Sequence, residues 1–192
     1  YLPCRMNERM KTILRNAELQ MQFERDGYVI VPFLTGAEVE QVQQVLDSLP
    51  IDQEVNHFYS TTFSDDLAFK KGISAQIESI LGAQVDAAFQ SIRKLGASFL
   101  LKPPGQEGDL PLHQDWTMCD EMAGEFTATI WIPLVDVGVA NGAIQVLPGS
   151  HRSSNILRGP SLPPVWPALT DQIRDRLVTL EMQAGEAFVF SH

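Results

Sequence analysis

Two side chains that can bind a metal ion stand one residue apart near the middle of the chain. The segment PLHQDWTMCD (111–120) contains His113 and Asp115, in a sequence with only four histidines. Side chains at positions i and i+2 of a strand project from the same face, so this imidazole and carboxylate should point together, with Gln114 opposite. They would supply two ligands of the 2-His-1-carboxylate site that holds non-haem Fe(II). By itself the spacing also fits an ordinary surface or satisfied polar pair.

The first half of the sequence predicts helices around a single strand. Apolar residues recur at helical spacing over 6–26, and YVIVPFL (28–34) is typical of a strand. Thr35, with Glu38 three residues later, predicts the capped start of a helix that Pro50 ends. A further helix is predicted over about 72–81.

The second half predicts short strands separated by Pro/Gly turns. The strand-like segments are 97–102, 127–135, 143–148, 177–182 and 186–190. Helices followed by many antiparallel strands favour an α+β domain whose body is a double-sheet barrel or jelly roll.

Composition excludes several classes of partner. The chain has 192 residues, the size of one domain, and 24 acidic against 14 basic residues give a net charge of −10. Nucleic acids and anionic membranes are therefore poor partners, and no apolar run reaches the roughly 20 residues that span a bilayer. The N-terminal residues contain no hydrophobic signal core. Cys4 and Cys119 form neither a disulfide framework nor a zinc-type pair, which favours reduced thiols and a cytoplasmic location.

Four motifs occur in an order that closely resembles the phytanoyl-CoA dioxygenase (PhyH-like) family of Fe(II)/2-oxoglutarate oxygenases. They are DGY (26–28), HQDW (113–116), NGAIQVLPGSHR (141–152) and AGEAFVF (184–190), and the resemblance runs from about residue 22 to the end. It implies a double-stranded β-helix (jelly-roll, cupin-like) core with the N-terminal helices packed on one sheet.

The resemblance also implies roles for individual residues. His113 and Asp115 match the first two iron ligands, while Gln114 and Trp131 match positions that line the 2-oxoglutarate site in some members. Lys102 lies near where members place a polar residue toward the co-substrate. The alternatives are core packing for Trp131 and a solvated strand end for Lys102. The implied cofactors are Fe(II) and 2-oxoglutarate, with ascorbate as reductant.

The other three histidines lie outside the HQDW motif. The resemblance places His151 in a structural turn rather than on the metal, and His57 has no motif around it. Asn141 is expected to serve a hairpin turn, where asparagine tolerates a left-handed backbone. The family offset puts the distal histidine roughly four residues beyond His192. The chain is therefore expected to lack both its C-terminal strand or strands and the arginine that binds the co-substrate. The alternative is that His192 is itself the third ligand.

The implied reaction is hydroxylation of a small-molecule substrate, coupled to decarboxylation of 2-oxoglutarate to succinate. An aspartate at position 115 favours hydroxylation, because related halogenases lack a carboxylate there. A catalytically degenerate jelly-roll binding module is the main alternative. A cupin-type enzyme without a 2-oxo acid is a weaker one, because such sites normally carry more histidines. The irregular segments 51–72 and 153–170 are expected to carry substrate specificity, and the oligomeric state stays open.

Overall fold

The computed structural model describes residues 10–50, 58–103, 110–123, 125–153, 157–159 and 166–192. Cys4 and His57 lie outside this described part. The structure combines helices with antiparallel strands, which confirms the mixed α and β class. The helices are α1 (Ala17–Asp26), α2 (Gly36–Asp47), α3 (Leu67–Ala88) and the short α4 (Thr170–Ile173).

Helix α2 begins as the sequence predicts. The Thr35 backbone N–H and hydroxyl both donate to the Glu38 carboxylate, at 2.7 and 2.8 Å, and the Glu38 N–H donates back to the Thr35 hydroxyl. This reciprocal capping box satisfies backbone donors that a helix start leaves unpaired. The helix ends at Asp47, with Ser48 as its C-cap, two residues before Pro50.

Two other helices differ from their predicted extents. Helix α1 begins only at Ala17, after the N-cap Asn16. Ile13 and Leu14 precede it as extended, buried residues, so their apolar spacing reflects core contacts outside a helix. Helix α3 spans 22 residues rather than about ten, because Asp66 caps a start five residues earlier than predicted and the helix continues to Ala88.

The strands form three antiparallel sheets. They are β1 (Tyr28–Pro32), β2 (Tyr59–Ser60), β3 (Leu100–Leu101), β4 (Ala128–Trp131), β5 (Ile144–Val146), β6 (Val178–Leu180) and β7 (Glu186–Ser191). Strand β7 lies between β1 and β4, whereas β5 pairs with β6 and β2 with β3. Each predicted strand segment therefore contains a strand, although most are shorter than predicted.

The two faces of the β1–β7–β4 sheet contact different neighbours. Its outer face carries Val29, Ala187 and Val189, which pack with Phe23 of α1 and Val85 of α3 in one buried cluster. Helices α1 and α3 thus cover this sheet on one side, in agreement with the helices on one sheet that the resemblance implied.

The inner face packs against the β5–β6 pair. Phe188 of β7 clusters with Leu180 of β6 and Met182, and Trp131 and Ile144 pack against them. Residues two apart on a strand share a face, so Phe188, Phe190 and then His192 follow one another on the inner side. The alternation of β7 therefore carries the last residue toward the space between the two sheets.

Two local predictions are wrong in detail. Residues 113–118 belong to no strand, so His113 and Asp115 meet from an irregular segment rather than from the face of a strand. In the turn at 139–142, Gly142 takes the left-handed backbone with φ 96°. Asn141 acts through its side chain, which accepts from the Gly138 N–H and donates to the Asp136 carbonyl.

Candidate metal centre

Three of the predicted ligand residues lie together. His113 Nε2 is 3.4 Å from Asp115 Oδ1, and His192 Nε2 is 3.4 Å from the other carboxylate oxygen, Oδ2. The side chain of His192 is only 6% exposed, against 31% for Asp115 and 47% for His113. The carboxylate thus bridges two imidazoles from distant parts of the chain, one near the protein surface and one buried.

A backbone carbonyl orients the imidazole of His113. Its Nδ1 lies 2.8 Å from the carbonyl oxygen of Pro111, and a carbonyl can only accept, so Nδ1 carries a proton. The tautomer is thereby fixed, and Nε2 is the nitrogen that faces Asp115. Metal-binding histidines almost always have their second nitrogen held in this manner.

The end of strand β7 positions His192. Its backbone N–H donates to the carbonyl of Thr127 at 3.0 Å, beside the last paired residue of the strand. Its Nδ1 donates to the carbonyl of Trp116 at 3.1 Å, and its ring stacks on Phe190 with centroids 6.1 Å apart. His192 therefore also presents Nε2 to the carboxylate, in the same tautomer as His113.

With neutral imidazoles, nitrogen and oxygen lone pairs would face each other in this site. With Nδ1 of His113 protonated, its Nε2 would direct a lone pair at Asp115 Oδ1, an arrangement that a proton or a metal cation between them relieves. The hydrogen bond with Asp115 raises the pKa of His113 against the opposing effect of burial. Burial alone would raise the pKa of Asp115, but the His113 hydrogen bond and the two histidines' charges hold it below its usual value.

The donor set fits a divalent first-row ion. Two ligand atoms at about 2.1 Å from an ion and at right angles are about 3 Å apart, close to the 3.4 Å of both contacts. As it stands, no group of three or more His, Cys, Asp or Glu side chains in the described part of the chain is assembled to hold a metal ion. With Nδ1 of His192 protonated, its Nε2 accepts a hydrogen bond from the Thr129 hydroxyl at 2.6 Å, which a metal ion would have to displace.

The other predicted site residues, Gln114, Trp131 and Lys102, contact different parts of the structure. The Gln114 amide oxygen accepts a hydrogen bond from Trp166 Nε1 at 2.9 Å, so its side chain leaves the ligand pair and contacts a later segment. Trp131 is two residues from Thr129 on the inner face of β4 and packs against the Phe188 cluster. A Cβ built on Gly142 would lie 3.6 Å from Lys102 Nζ, which places that amine beside the 139–142 turn.

The structure places His151 away from the metal centre, in a turn, as predicted. It lies in the 3₁₀ turn Ser150–Arg152, where its Nε2 donates to the Glu24 carbonyl at 3.2 Å. Its ring packs directly on Gly27, and the Gly149 N–H donates to the Asp26 carbonyl at 2.7 Å. The DGY and PGSH motifs therefore bind each other, and their joint appearance in the sequence has a structural cause.

Sequence reasoning missed two residues that touch the ligands. Thr129 contacts both His192 and, at 3.5 Å, Asp115 Oδ2. Its position two residues before Trp131 was the available signal. Arg158 donates from Nε to the backbone carbonyl of Asp115 at 2.8 Å. No motif surrounds Arg158, so only the folded structure reveals it.

One cleft of about 440 Å³ contains none of these residues. It is lined by Asp136, Val137, Glu181, Met182, Gln183 and Glu186. Two of its carboxylates already accept backbone N–H groups, Asp136 from Ala184 and Glu186 from Gln183. The candidate centre is therefore identified by the geometry of the ligand residues and not by the position of this acidic cleft.

The chain was compared with known protein families and proteins. Residues 23–192 match the family model described as phytanoyl-CoA dioxygenase (PhyH). No protein of curated function matches the chain. None of the helices in the described part of the chain is long and apolar enough to cross a membrane.

Several solved structures share the fold. HygX from Streptomyces hygroscopicus, with nickel and 2-oxoglutarate bound, is 17% identical with a TM-score of 0.59 over 91% of this chain and 77% of its own. EvdO2 from Micromonospora carbonacea var. aurantiaca, complexed with 2-oxoglutarate, is 18% identical with a TM-score of 0.54 over 96% and 83%. The epimerase SnoN, in complex with Fe3+, alpha ketoglutarate and nogalamycin RO, is 25% identical with a TM-score of 0.51 over 91% and 73%.

Proposed function

This chain belongs to the phytanoyl-CoA dioxygenase family, and on that premise we propose that it is a non-haem Fe(II)- and 2-oxoglutarate-dependent dioxygenase that hydroxylates a small molecule. The observation that carries the proposal is the contact of two imidazoles with the two oxygens of one carboxylate, at 3.4 Å each. Two histidines and one carboxylate are the donor set of this enzyme class.

His113, Asp115 and His192 are the proposed iron ligands. The family offset in the sequence favoured a histidine beyond position 192, whereas the position of His192 against Asp115 supports the alternative that this residue completes the set. The two Nδ1–carbonyl hydrogen bonds support it as well, because they turn both Nε2 atoms toward the carboxylate.

The proposed body of the enzyme is one jelly-roll domain of the double-stranded β-helix type. Two observations support this architecture. The antiparallel sheet β1–β7–β4 faces the β5–β6 pair across the Phe188 cluster, and the chain shares its fold with HygX and EvdO2. The metal centre would then lie at one end of the space between the sheets, where His192 follows the last residue of β7.

The cofactors are proposed to be Fe(II) and 2-oxoglutarate. HygX was solved with nickel and 2-oxoglutarate, and SnoN with Fe3+ and alpha ketoglutarate. When bound, the iron would activate O₂, which is the oxidant, and 2-oxoglutarate would supply two electrons as it is decarboxylated to succinate and CO₂. The chain's own residues hold the ion through Nε2 and carboxylate oxygens, and the burial of His192 excludes water from that side. Trp131 and Gln114 would line the co-substrate site, with Lys102 toward its polar end.

Succinate formation tests this function directly. Purified protein supplied with Fe(II), ascorbate, O₂ and 2-oxoglutarate should form succinate, slowly even without a prime substrate. The Asp115→Ala variant should lose both this turnover and the binding of Mn(II) measured by calorimetry. Asp171→Ala, which changes an exposed aspartate in α4, is the matched control and should behave as wild type.

The contrary result would favour the degenerate binding module. Absence of succinate, together with an Mn(II) affinity that Asp115→Ala leaves unchanged, would refute an iron-dependent enzyme. Binding of Mn(II) without 2-oxoglutarate turnover would keep the metal centre and refute only the reaction.

A further inference from the structure

The ligand-bearing segment, residues 113–121, has little regular structure to hold it. Its first six residues belong to no helix or strand, yet His113 and Asp115 both lie there. Metal ligands must be held within about 0.5 Å of a productive geometry by the residues that support them. In this segment, contacts from elsewhere in the chain must therefore supply the precision that a paired strand would give.

Arg158 supplies several of those contacts. Its Nε donates to the Asp115 carbonyl at 2.8 Å, and its Nη2 donates to Glu121 Oε1 at 2.6 Å. Its backbone N–H donates to the Thr117 hydroxyl at 3.1 Å, and its carbonyl accepts from the Thr117 N–H at 3.2 Å. One residue thus binds the ligand-bearing segment at three points between Asp115 and Glu121.

The burial of these groups makes the contacts strong. The Arg158 side chain is 9% exposed and that of Glu121 19%. Charge-assisted hydrogen bonds of this length are about twice as strong as neutral ones, and the planar guanidinium can bind a carbonyl and a carboxylate at once in a fixed geometry. A lysine offers one flexible charge instead and cannot reproduce both contacts in that geometry.

We propose that Arg158 is the positioning residue of the metal centre. By holding the Asp115 carbonyl and the Glu121 carboxylate together, it keeps the His113–Asp115 pair facing His192. This inference rests on the proposed function, and it adds a residue that acts on the ligands through the backbone without touching the metal. A second contact between neighbouring stretches, Trp166 Nε1 to the Gln114 amide oxygen at 2.9 Å, acts in the same direction.

Two measurements, Co(II) affinity and amide hydrogen exchange of individual segments, distinguish a positioning role of Arg158 from a general contribution to stability. Co(II) is titrated into the full chain as wild type, Arg158→Lys and Arg158→Ala, and its absorption spectrum reports the coordination geometry. Amide hydrogen exchange is measured on the metal-free proteins. Arg174→Ala is the matched control, because Arg174 also forms an ion pair with a carboxylate, that of Asp171 at 2.9 Å, but both side chains are exposed.

Both Arg158 variants should bind Co(II) at least about tenfold more weakly than wild type, with an altered spectrum. Exchange should rise across residues 113–121 while that of strand β7 stays protected, and Arg174→Ala should match wild type throughout. Arg158→Lys keeps the buried positive charge beside Glu121, so it reports on positioning even where Arg158→Ala fails to fold.

Wild-type affinity and spectrum in Arg158→Lys would overturn the proposal. So would a loss of affinity accompanied by equal loss of exchange protection in 113–121 and β7, since this indicates general destabilisation. If wild type itself bound no Co(II), the proposed function would fail, and the positioning role would fall with it. The two failures are therefore distinguishable in one set of titrations.

Discussion

His192 and Asp115 lie with Nε2 and Oδ2 3.4 Å apart, joined by a Thr129 hydroxyl that is 2.6 Å from the imidazole and 3.5 Å from the carboxylate. This contact brings the end of strand β7 to the irregular segment that carries His113. It distinguishes His192 from His151, which stands in an equally suggestive motif but contacts helix α1 instead.

The two histidines should therefore respond differently to replacement by alanine. His192→Ala should weaken Co(II) binding by more than about 100-fold if His192 is a ligand as proposed, because the hydrogen bonds around a ligand already cost about 10–100-fold when they are lost. His151→Ala should leave Co(II) affinity unchanged and lower the free energy of unfolding. Calorimetric titration and chemical denaturation measure the two quantities. Equal Co(II) affinities in the two variants would remove His192 from the ligand set.

Gly27→Ala should be strongly destabilising. Gly27 has φ +84°, and a Cβ there would lie 2.9 Å from Cγ of the His151 ring. The left-handed backbone costs a non-glycine residue about 1–2 kcal/mol, and overpacking adds about 1–3 kcal/mol. We expect a loss of about 3 kcal/mol in urea denaturation.

A double variant separates the two causes. In Gly27→Ala/His151→Ala the steric overlap disappears, and only the backbone strain and the loss of the His151 contacts remain, so the total loss should be smaller than the sum of the single losses. Strict additivity would mean that the His151 ring does not pack on Gly27.

Local sequence rules predicted the elements whose cause is local. Thr35 and Glu38 are three residues apart and their capping box forms within one helical turn, so the sequence alone suffices. The alternation of Phe188 and Phe190 likewise predicts which face of β7 they share, because the period of a strand is fixed at two.

The remaining features depend on long-range contacts. Nothing near Arg158 in the sequence indicates that it binds the Asp115 carbonyl, since the two meet only after the chain has folded. The buried extended residues Ile13 and Leu14 imitate helical spacing for the same reason: the core, and not a local period, selects them as apolar. His192 was ambiguous because a motif offset cannot measure how far a strand's end lies from Asp115.

Protonation of His151 should make the protein less stable in mild acid. Burial lowers the pKa of His151 against the opposing effect of its hydrogen bond to the Glu24 carbonyl, and the charges of Arg152 and Asp26 make smaller contributions of opposite sign. Below about pH 6.5, the usual value, the unfolded chain takes up a proton that the folded protein resists, so acid favours unfolding. The free energy of unfolding should therefore fall as the pH drops from about 6.5 and be independent of this group above it.

The comparison protein for this test is His151→Gln, which has no charge to gain. Subtracting its unfolding free energy from that of wild type, both metal-free, cancels the titration of His113, whose raised pKa acts in the opposite sense. A difference that stays constant from pH 8 to about pH 5, or that grows in acid, would contradict the assignment.

Adjacent residues of strand β4 should separate co-substrate binding from packing. Trp131 lies on the inner face with Thr129, whereas Ile130 faces the helices on the outer side. Trp131→Phe should raise the KM for 2-oxoglutarate several-fold with a smaller change in kcat, because the indole would line the co-substrate site. Ile130→Val removes one methyl group from a partly buried side chain and should cost about 0.5–1.5 kcal/mol of stability with KM unchanged. Succinate kinetics and thermal denaturation of both variants measure these effects. If Trp131→Phe lost stability but kept the wild-type KM, the tryptophan would be a core residue only, and the co-substrate would have to be bound by other inner-face side chains.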